Sequence, residues 1–362
     1  MDNNSFSFEN GLIVQLDWIS FTVTASMTVE DVIQFMGFSP ALFTDMPKGA
    51  NGYRQMKRYE DISVLYDGSE NMGIHVNVSG NSVSALLASF KETLSDNNCP
   101  FGKAYDYWEE DILSLFCKDV LEIGQFTRLD IAIDDLGCNY YSLDELLEKL
   151  KCKMVVSRFR SYRNVCESSM TGEKLGHTIY FGSRKSSIMF RVYDKKLEQN
   201  KGFSPDDNNY IHSEWVRWEM ELHKERANEL ANVLMQKKTL GFIAFGILTY
   251  YFRIIQIDDS NRSRCSNEPK WDAFTNGIEK LRLSAPRRAR TLSEKEHWID
   301  YQVGPSLALI VLKNGGDSSC LADIAVKNIH RISAKDLDLL RNESPELYNQ
   351  YTEEENDYTT DI

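Results

Sequence analysis

The sequence lacks several features that would have fixed a chemistry at once. Its seven cysteines are odd in number and scattered from Cys99 to Cys320 with no C-x-x-C pair, which excludes a zinc ribbon and offers no disulfide framework. No apolar run reaches the roughly 18 residues that span a bilayer, and the opening MDNNSFSFENGLIVQLDW has no basic start followed by an apolar core. Membrane insertion and secretion are not expected, and a reducing cytoplasm fits best. Among six histidines no two are separated by a single residue, so a His-x-His metal clamp is missing. Internal repeats, Pro-rich linkers and low-complexity segments are absent too, and no sharp boundary divides the chain.

Positive charge is also scarce, with a formal net charge of −13. That balance argues at first against a nucleic-acid partner, because phosphate binding needs a basic footprint. The distribution reverses the impression. Residues 151–196 hold eleven Lys/Arg against three Asp/Glu, and LRLSAPRRAR (281–290) adds four arginines with no acid. A basic run can be no more than a solvated face. Two of them in an acidic protein form the asymmetry that a local polyanion site produces.

What is present is a chain of 362 residues with 42% apolar composition, long enough for a real core and two or three structural units. Alternation marks strands at GLIVQLDWISFTV (11–23), FTRLDIAIDDLG (126–137) and SEWVRWEMEL (213–222). Hairpins are expected at 62–80, turning at SEN, and at 174–196, turning at GSRKS. Helical spacing appears in TVEDVIQFMGF behind Thr28, in SVSALLASFKETLSD, in YWEEDILSLFCKDVLEI and in SLDELLEKLKCK, where Ser142 and Glu145 suggest a capping box. From about Glu225 the chain reads as mainly helical. These signals predict an α+β fold with an antiparallel central sheet flanked by helices. We expect a catalytic domain over 1–230, a mainly helical portion over 231–345 and an acidic, disordered tail over 346–362.

Period-two alternation then shows what each strand offers. In RLDIAIDD, Leu129, Ile131 and Ile133 oppose Arg128, Asp130, Ala132 and Asp134. In WVRWEMEL, Trp218, Met220 and Leu222 oppose Arg217, Glu219 and Glu221. In SIMFRVYDKK, Ile188, Phe190 and Val192 oppose Arg191, Tyr193 and Lys195. A half-exposed sheet commonly has a polar outer face, with cross-strand pairs worth about 0.2–1 kcal/mol. Carboxylates two residues apart repel one another there, and a bound cation would remove that objection. Oxygen ligands favour Mg²⁺ or Mn²⁺. Asp130, Asp134 and Glu219 are the candidate metal ligands, with Glu221 as a further one. His75, beside Asn77 and Ser79, reads better as a structural or supporting partner.

Acids, a tyrosine and cations together specify a reaction. A phenol of pKa near 10 is a weak nucleophile until a cation or base favours its phenolate. Tyr193, with Arg191 and Lys195 beside it, is the candidate nucleophile for attack on a DNA phosphodiester, and Tyr180 is its rival. Arg184, Lys185, Lys196, Arg287, Arg288 and Arg290 are candidate DNA-binding cations. A non-catalytic DNA-binding regulator would share many of these features.

The strings LDWISFTV, GIHVNVSG, TRLDIAIDD, TIYFGSRKSS with FRVYDKKLE, WVRWEMEL and TLSEKEHWIDYQVGPSLA, in that order, resemble the Rep_trans family. That family comprises rolling-circle replication initiators of Gram-positive plasmids and MOBT relaxases of integrative and conjugative elements. The resemblance spans residues 11–310. It implies a fold related to the HUH endonucleases, with acids in place of the histidine pair. It also implies a site- and strand-specific nickase that becomes linked to the 5′ phosphate and leaves a 3′ hydroxyl. Carried onto this chain, the nucleophile falls on Tyr193 and the acidic ligands on Asp130, Asp134 and Glu219. A superfamily 1 helicase is an implied partner, with a coupling protein if the element is conjugative. Some MOBT relaxases carry a helix-turn-helix domain first. Here the sequence opens almost directly on the catalytic strand, so origin recognition is expected from the C-terminal part with LRLSAPRRAR. A conjugative relaxase is the favoured reading and a plasmid initiator the close alternative.

Overall fold

The computed structural model describes residues 5–7, 11–95, 109–236, 238–276, 281, 283, 292, 296, 299–332, 337, 340–341 and 344–349. They belong to two compact units, Met1–Ala285 and Pro286–Ile362. Arg287, Arg288 and Arg290, and residues 350–362 of the acidic tail, lie outside the described residues, while 346–349, expected to be disordered, are helical.

The alternating segments of the first unit assemble into one eleven-stranded antiparallel sheet. In chain order its strands are β1 (Ser5–Ser7), β2 (Leu12–Val23), β3 (Thr44–Asp45), β4 (Gln55–Tyr59), β5 (Ile62–Tyr66), β6 (Ile74–Ser79) and β7 (Gly124–Leu136). After β8 (Val155–Ser157) come β9 (Tyr162–Ser168), β10 (Lys174–Gly182), β11 (Ile188–Asp194) and β12 (Trp215–His223). The spatial order is β3-β4-β5-β6-β2-β7-β12-β11-β10-β9, with β1 beside β2. β13 (Phe252–Ile254) pairs with β8 as a separate ribbon. The fold is thus α+β around a large antiparallel sheet, as the alternation predicted. Strands β4 and β9 were not anticipated, because β9 has almost no buried side chain and so no alternation to read.

Helices cover one face of this sheet: α1 (Val29–Phe35), α2 (Asn81–Ser95), α3 (Glu109–Ile123) and α4 (Leu143–Lys151), then, after the short α5 (Lys195–Gln199) that follows β11 and buries no residue, α6 (Glu225–Leu234), α7 (Leu240–Tyr251) and α8 (Pro269–Thr275). Ser142 caps α4 by accepting from the Glu145 N–H at 3.2 Å, but the full capping box closes elsewhere, between Thr28 and Asp31 at the start of α1. Phe21, Leu129, Ile131, Trp218, Met220 and Phe190 point from the sheet into the helix layer and are buried. Helix α7, LGFIAFGILTYY, is apolar nearly all round and accordingly lies inside the core.

The strand expected through Lys195 stops one residue earlier. Asp194 accepts from the Leu197 N–H at 2.9 Å and so caps α5, which turns Lys195 and Lys196 onto a helix. The helices expected after residue 230 are present, but those up to residue 285 share the core of the sheet unit. Trp271 of α8 shows this: it is fully buried, with its ring 6.0 Å from Trp218 of β12 and 5.6 Å from Phe252. The second unit, taken alone, contains helices Gly304–Lys313 and Ser319–Asn328, which contact each other. Among the described residues, no helix is long and apolar enough to cross a membrane.

Trp271 therefore reports on where the sheet unit ends. Trp271→Ala is expected to cost about 3–5 kcal/mol, and near-UV and far-UV signals should still melt together. If the sheet kept its wild-type midpoint while α7 and α8 melted early, the region after residue 230 would be a separate cooperative unit.

Candidate functional site

The face of the sheet away from the helices is polar because the register brings charged positions of neighbouring strands opposite one another. Across β11 and β12, Arg191 faces Glu219 and Tyr193 faces Arg217. Across β12 and β7, Arg217 faces Asp134 and Glu221 faces Asp130. Across β7 and β2, Asp130 faces Trp18 and Arg128 faces Ser20. The expected convergence of acids, tyrosine and cations from separate strands is therefore present.

Tyr193 sits at its centre. Its hydroxyl donates to Glu219 Oε2 at 3.1 Å, and the Arg191 guanidinium and Lys195 ammonium lie over its ring at 5.3 and 5.6 Å. Burial, then the negative charge of Glu219, pushes the phenol well above its ordinary pKa, while Arg217 opposes the shift. The resting side chain is a neutral phenol. Tyr180, the rival, lies opposite Arg191 in the register and carries the Arg163 guanidinium over its ring at 4.7 Å. No acid is bonded to its hydroxyl among the described residues. Of these two tyrosines, Tyr193 is the one whose hydroxyl meets a carboxylate among the described residues.

The acids are held by arginines. Arg191 donates to Glu219 Oε1. Burial raises the Glu219 carboxyl above its usual range, Arg191 pulls it down, and Asp17 pushes it up. Asp130 is fully buried and receives both Nε (2.9 Å) and Nη2 (2.5 Å) of Arg128. Burial raises its pKa against that pairing, and the charges of Glu219 and Glu221 add to the rise. Glu221 meets the same Arg128 Nη2 at 3.2 Å and His223 Nε2 at 3.4 Å, and these outweigh burial to hold it below its ordinary value.

Asp134 is the most fully engaged of the expected ligands. Arg217 grips both of its oxygens, at 2.7 and 2.8 Å, and the Trp215 indole N–H donates to Oδ1 at 2.7 Å. These bonds tie β12 to β7. Arg217 also donates to Asp17, an acid the sequence reading passed over. Asp17 is the extra residue of a β-bulge between Leu16 and Trp18. The signal was available: buried positions run Leu12, Val14, Leu16 and then Ile19, Phe21, Val23, a slip of phase at that point.

A divalent ion can be tested against these groups. The donors are carboxylate oxygens, the correct type for Mg²⁺ or Mn²⁺. One nitrogen of Arg128 already lies within reach of both Asp130 and Glu221, which marks a place where a cation satisfies two acids. Among the described residues no three His, Cys, Asp or Glu side chains close a metal cage. The set suits an ion held by one or two carboxylates with water and substrate phosphate completing the shell.

The remaining candidates divide. Lys195 pairs with Glu198, and Lys196 pairs with Glu214 at 2.6 Å. Arg184 and Lys185 are exposed in the β10–β11 turn, at the end of β11 away from Tyr193. That end adjoins His223, whose N–H donates to the Ser187 carbonyl at 2.9 Å. Beside it, on the same polar face, lies a groove of about 560 Å³ walled by Trp18, Arg128 and His223 and floored by His75 and Asn77.

The pairing carries stability and titration consequences. Arg217→Met should destabilise the protein by about 3–5 kcal/mol in denaturant melts at neutral pH, since Asp134 and Asp17 would be left uncompensated; adding Asp134→Asn should recover part of the loss. His75 is the second case. Burial lowers its pKa, against the opposing bond to Asn77. With the folded value depressed, the unfolded chain binds more protons below about pH 6.5, so this stability is present above that pH and lost on acidification. His75→Gln is expected to flatten the fall in melting temperature between about pH 6.5 and 5 relative to the parent. An unchanged slope would show that the ring is not held neutral.

The sequence pattern described as "Replication initiation factor" matches residues 124–324, and that of "Rolling Circle replication initiation protein N-terminal domain" matches residues 13–96. The chain is 26% identical over 306 residues to the putative DNA relaxase NicK of Bacillus subtilis (strain 168), covering 84% of this chain and 82% of that protein. The solved rolling-circle replication initiator protein from Geobacillus stearothermophilus superimposes with a TM-score of 0.59 at 26% identity, covering 76% of this chain and 99% of that one. The sheet with its Tyr193–Glu219 pair, and the match over more than half of the sequence, lead to one conclusion: the chain belongs to the replication initiation factor (Rep_trans) family.

Proposed function

We propose that this chain nicks one DNA strand at a defined site by transesterification, acting as the relaxase of an integrative and conjugative element. The observation that carries the reading is the 3.1 Å hydrogen bond from the Tyr193 hydroxyl to the buried Glu219 carboxylate. It joins a nucleophile to a base whose carboxyl burial holds above its usual range.

In the step proposed, Tyr193 Oη forms a bond to phosphorus as the P–O3′ bond breaks. The phenolic proton passes to Glu219, and the departing 3′ oxygen takes a proton from water. The products are a 5′-phosphotyrosine and a free 3′ hydroxyl. Arg191 and Lys195, over the tyrosine ring, supply positive charge next to the developing phenolate. Asp130 and Glu221 are the residues proposed to hold Mg²⁺ or Mn²⁺. Such an ion would polarise the phosphate oxygens and absorb charge in the transition state. Asp134, engaged by Arg217, takes no part. DNA is the substrate, which puts the work in the cytoplasm. A superfamily 1 helicase to unwind behind the nick and a coupling protein are the proposed partners.

The coverage of most of the NicK relaxase supports the transfer reading. The likeness to nearly the whole of a rolling-circle initiator supports the second, a plasmid replication initiator with the same chemistry. Loss of element transfer on deleting the gene, with copy number retained, would favour the first; the opposite pattern would favour the second.

The chemistry is tested with supercoiled plasmid carrying the DNA that flanks the gene, incubated with purified protein and Mn²⁺. Open circles and protein-linked DNA are expected, together with a tryptic peptide containing Tyr193 and a nucleotide. Tyr193→Phe should abolish the adduct while DNA binding persists, and Glu219→Gln should slow nicking by about 10²–10⁴-fold. An adduct that survives Tyr193→Phe but disappears with Tyr180→Phe overturns the assignment. Binding without nicking by the parent protein would favour a DNA-binding regulator.

A further inference from the structure

The nicking site uses β7, β12 and β11; the groove beside it, on β2, β6 and the start of β7, shares Arg128 with that site, while its Trp18, His75 and Asn77 have no part in the reaction. Its volume of about 560 Å³ falls in the range of roughly 300–1,000 Å³ typical of sites for small groups. One wall is flat: the Arg128 guanidinium stacks on the Trp18 indole at 4.2 Å. A wall of this kind offers an aromatic face and a cation together.

The floor is a relay of hydrogen bonds whose direction is determined by its ends. The Trp18 Nε1–H can only donate, and it donates to Ser20 Oγ at 2.5 Å. Ser20 in turn gives its proton to Asn77 Oδ1 at 2.6 Å. On the other side, His75 Nε2 lies 3.1 Å from the same amide oxygen, and His75 Nδ1 lies 2.8 Å from Thr22 Oγ1. An amide oxygen cannot donate, so Nε2 carries the ring proton and Nδ1 accepts from Thr22. Both lone pairs of Asn77 Oδ1 are therefore used. Asn77 Nδ2, with two hydrogens to give, has no partner among the described residues. The neutral imidazole that this relay needs agrees with the burial of His75.

A flat aromatic–guanidinium wall above an unused amide donor suits a planar ligand with acceptors on its edge. A nucleobase has both; a phosphate has no face to stack. We propose that this groove takes one unstacked base of the strand cut at Tyr193, with Trp18 and Arg128 stacking on it and Asn77 Nδ2 donating to its edge. The inference rests on the nicking reading and deepens it, since a base captured there fixes which phosphate reaches the tyrosine. Trp18 and Tyr193 stand on strands separated by β7 and β12, about 15 Å across the sheet, and the register sets Trp18 level with Met189, about 13 Å along β11 from Tyr193; at roughly 20 Å in all, the captured base lies a few nucleotides from the scissile phosphate.

The test uses the full chain and two fluorescent probes of equal charge: an oligothymidylate of about twelve nucleotides and an abasic strand of the same length, a scale matching single-strand grooves. The parent should bind the thymidylate more tightly. Trp18→Leu should weaken that binding about ten-fold while changing the abasic affinity and the salt slope little, because stacking neutralises no phosphate. Asn77→Ala should act in the same direction by less, and it remains the decisive variant if Trp18→Leu fails to fold. Equal loss on both probes, or none on either, overturns the groove as a base site. If the parent nicks and binds yet shows that pattern, only this inference falls; if the parent binds neither probe, the nicking reading falls with it.

Discussion

Three arginines on the open face of one sheet, Arg128, Arg191 and Arg217, make the rest of this structure possible. Each reaches a carboxylate on its own or the neighbouring strand, and each of those carboxylates is buried or nearly so. Acids at period-two spacing would repel one another in the low dielectric of a covered sheet, and removing one cation would leave an unpaired buried charge. The same register that matches these charges also turns Leu129, Ile131, Trp218 and Phe190 into the helix layer. A slip of one residue between β7 and β12 would bury the charges and expose the core at once, so apolar and ionic demands select the same pairing.

That compensation explains why the site is poised and not already reactive. Tyr193 is neutral in the free protein because burial and Glu219 both oppose its phenolate. The arginines are committed to acids, so little positive charge is left over to stabilise an anion on the tyrosine. In the proposed reaction a divalent ion held by Asp130 and Glu221 would supply positive charge that the paired arginines do not.

The sequence made much of this legible. The strands carrying the site alternate cleanly, so the faces of RLDIAIDD, RVYDKK and WVRWEMEL could be assigned without coordinates; the diagonal Tyr193–Glu219 contact depends on the β11–β12 register, which those faces do not give. Two kinds of feature escaped. Edge strands such as β9, exposed on both faces, leave no apolar pattern. Bulges shift the phase, which hid Asp17 from a reading that assumed unbroken alternation. The surroundings of Asp134 escaped for another reason: type and spacing identify a carboxylate as a possible ligand, but the register is what shows that Arg217 stands directly opposite and takes both oxygens.

The basic footprint also looks different once partners are known. Lys195 and Lys196, counted as free charge in the sequence, are paired with Glu198 and Glu214. Arg184 and Lys185 remain exposed, and they stand at the far end of β11 beside His223 and the groove. Among the described residues the basic run therefore splits: the lysines beside Tyr193 are neutralised by neighbouring carboxylates, while the exposed cations stand at the opposite end of β11, so the attraction for a polyanion is more local than a count along the sequence suggests.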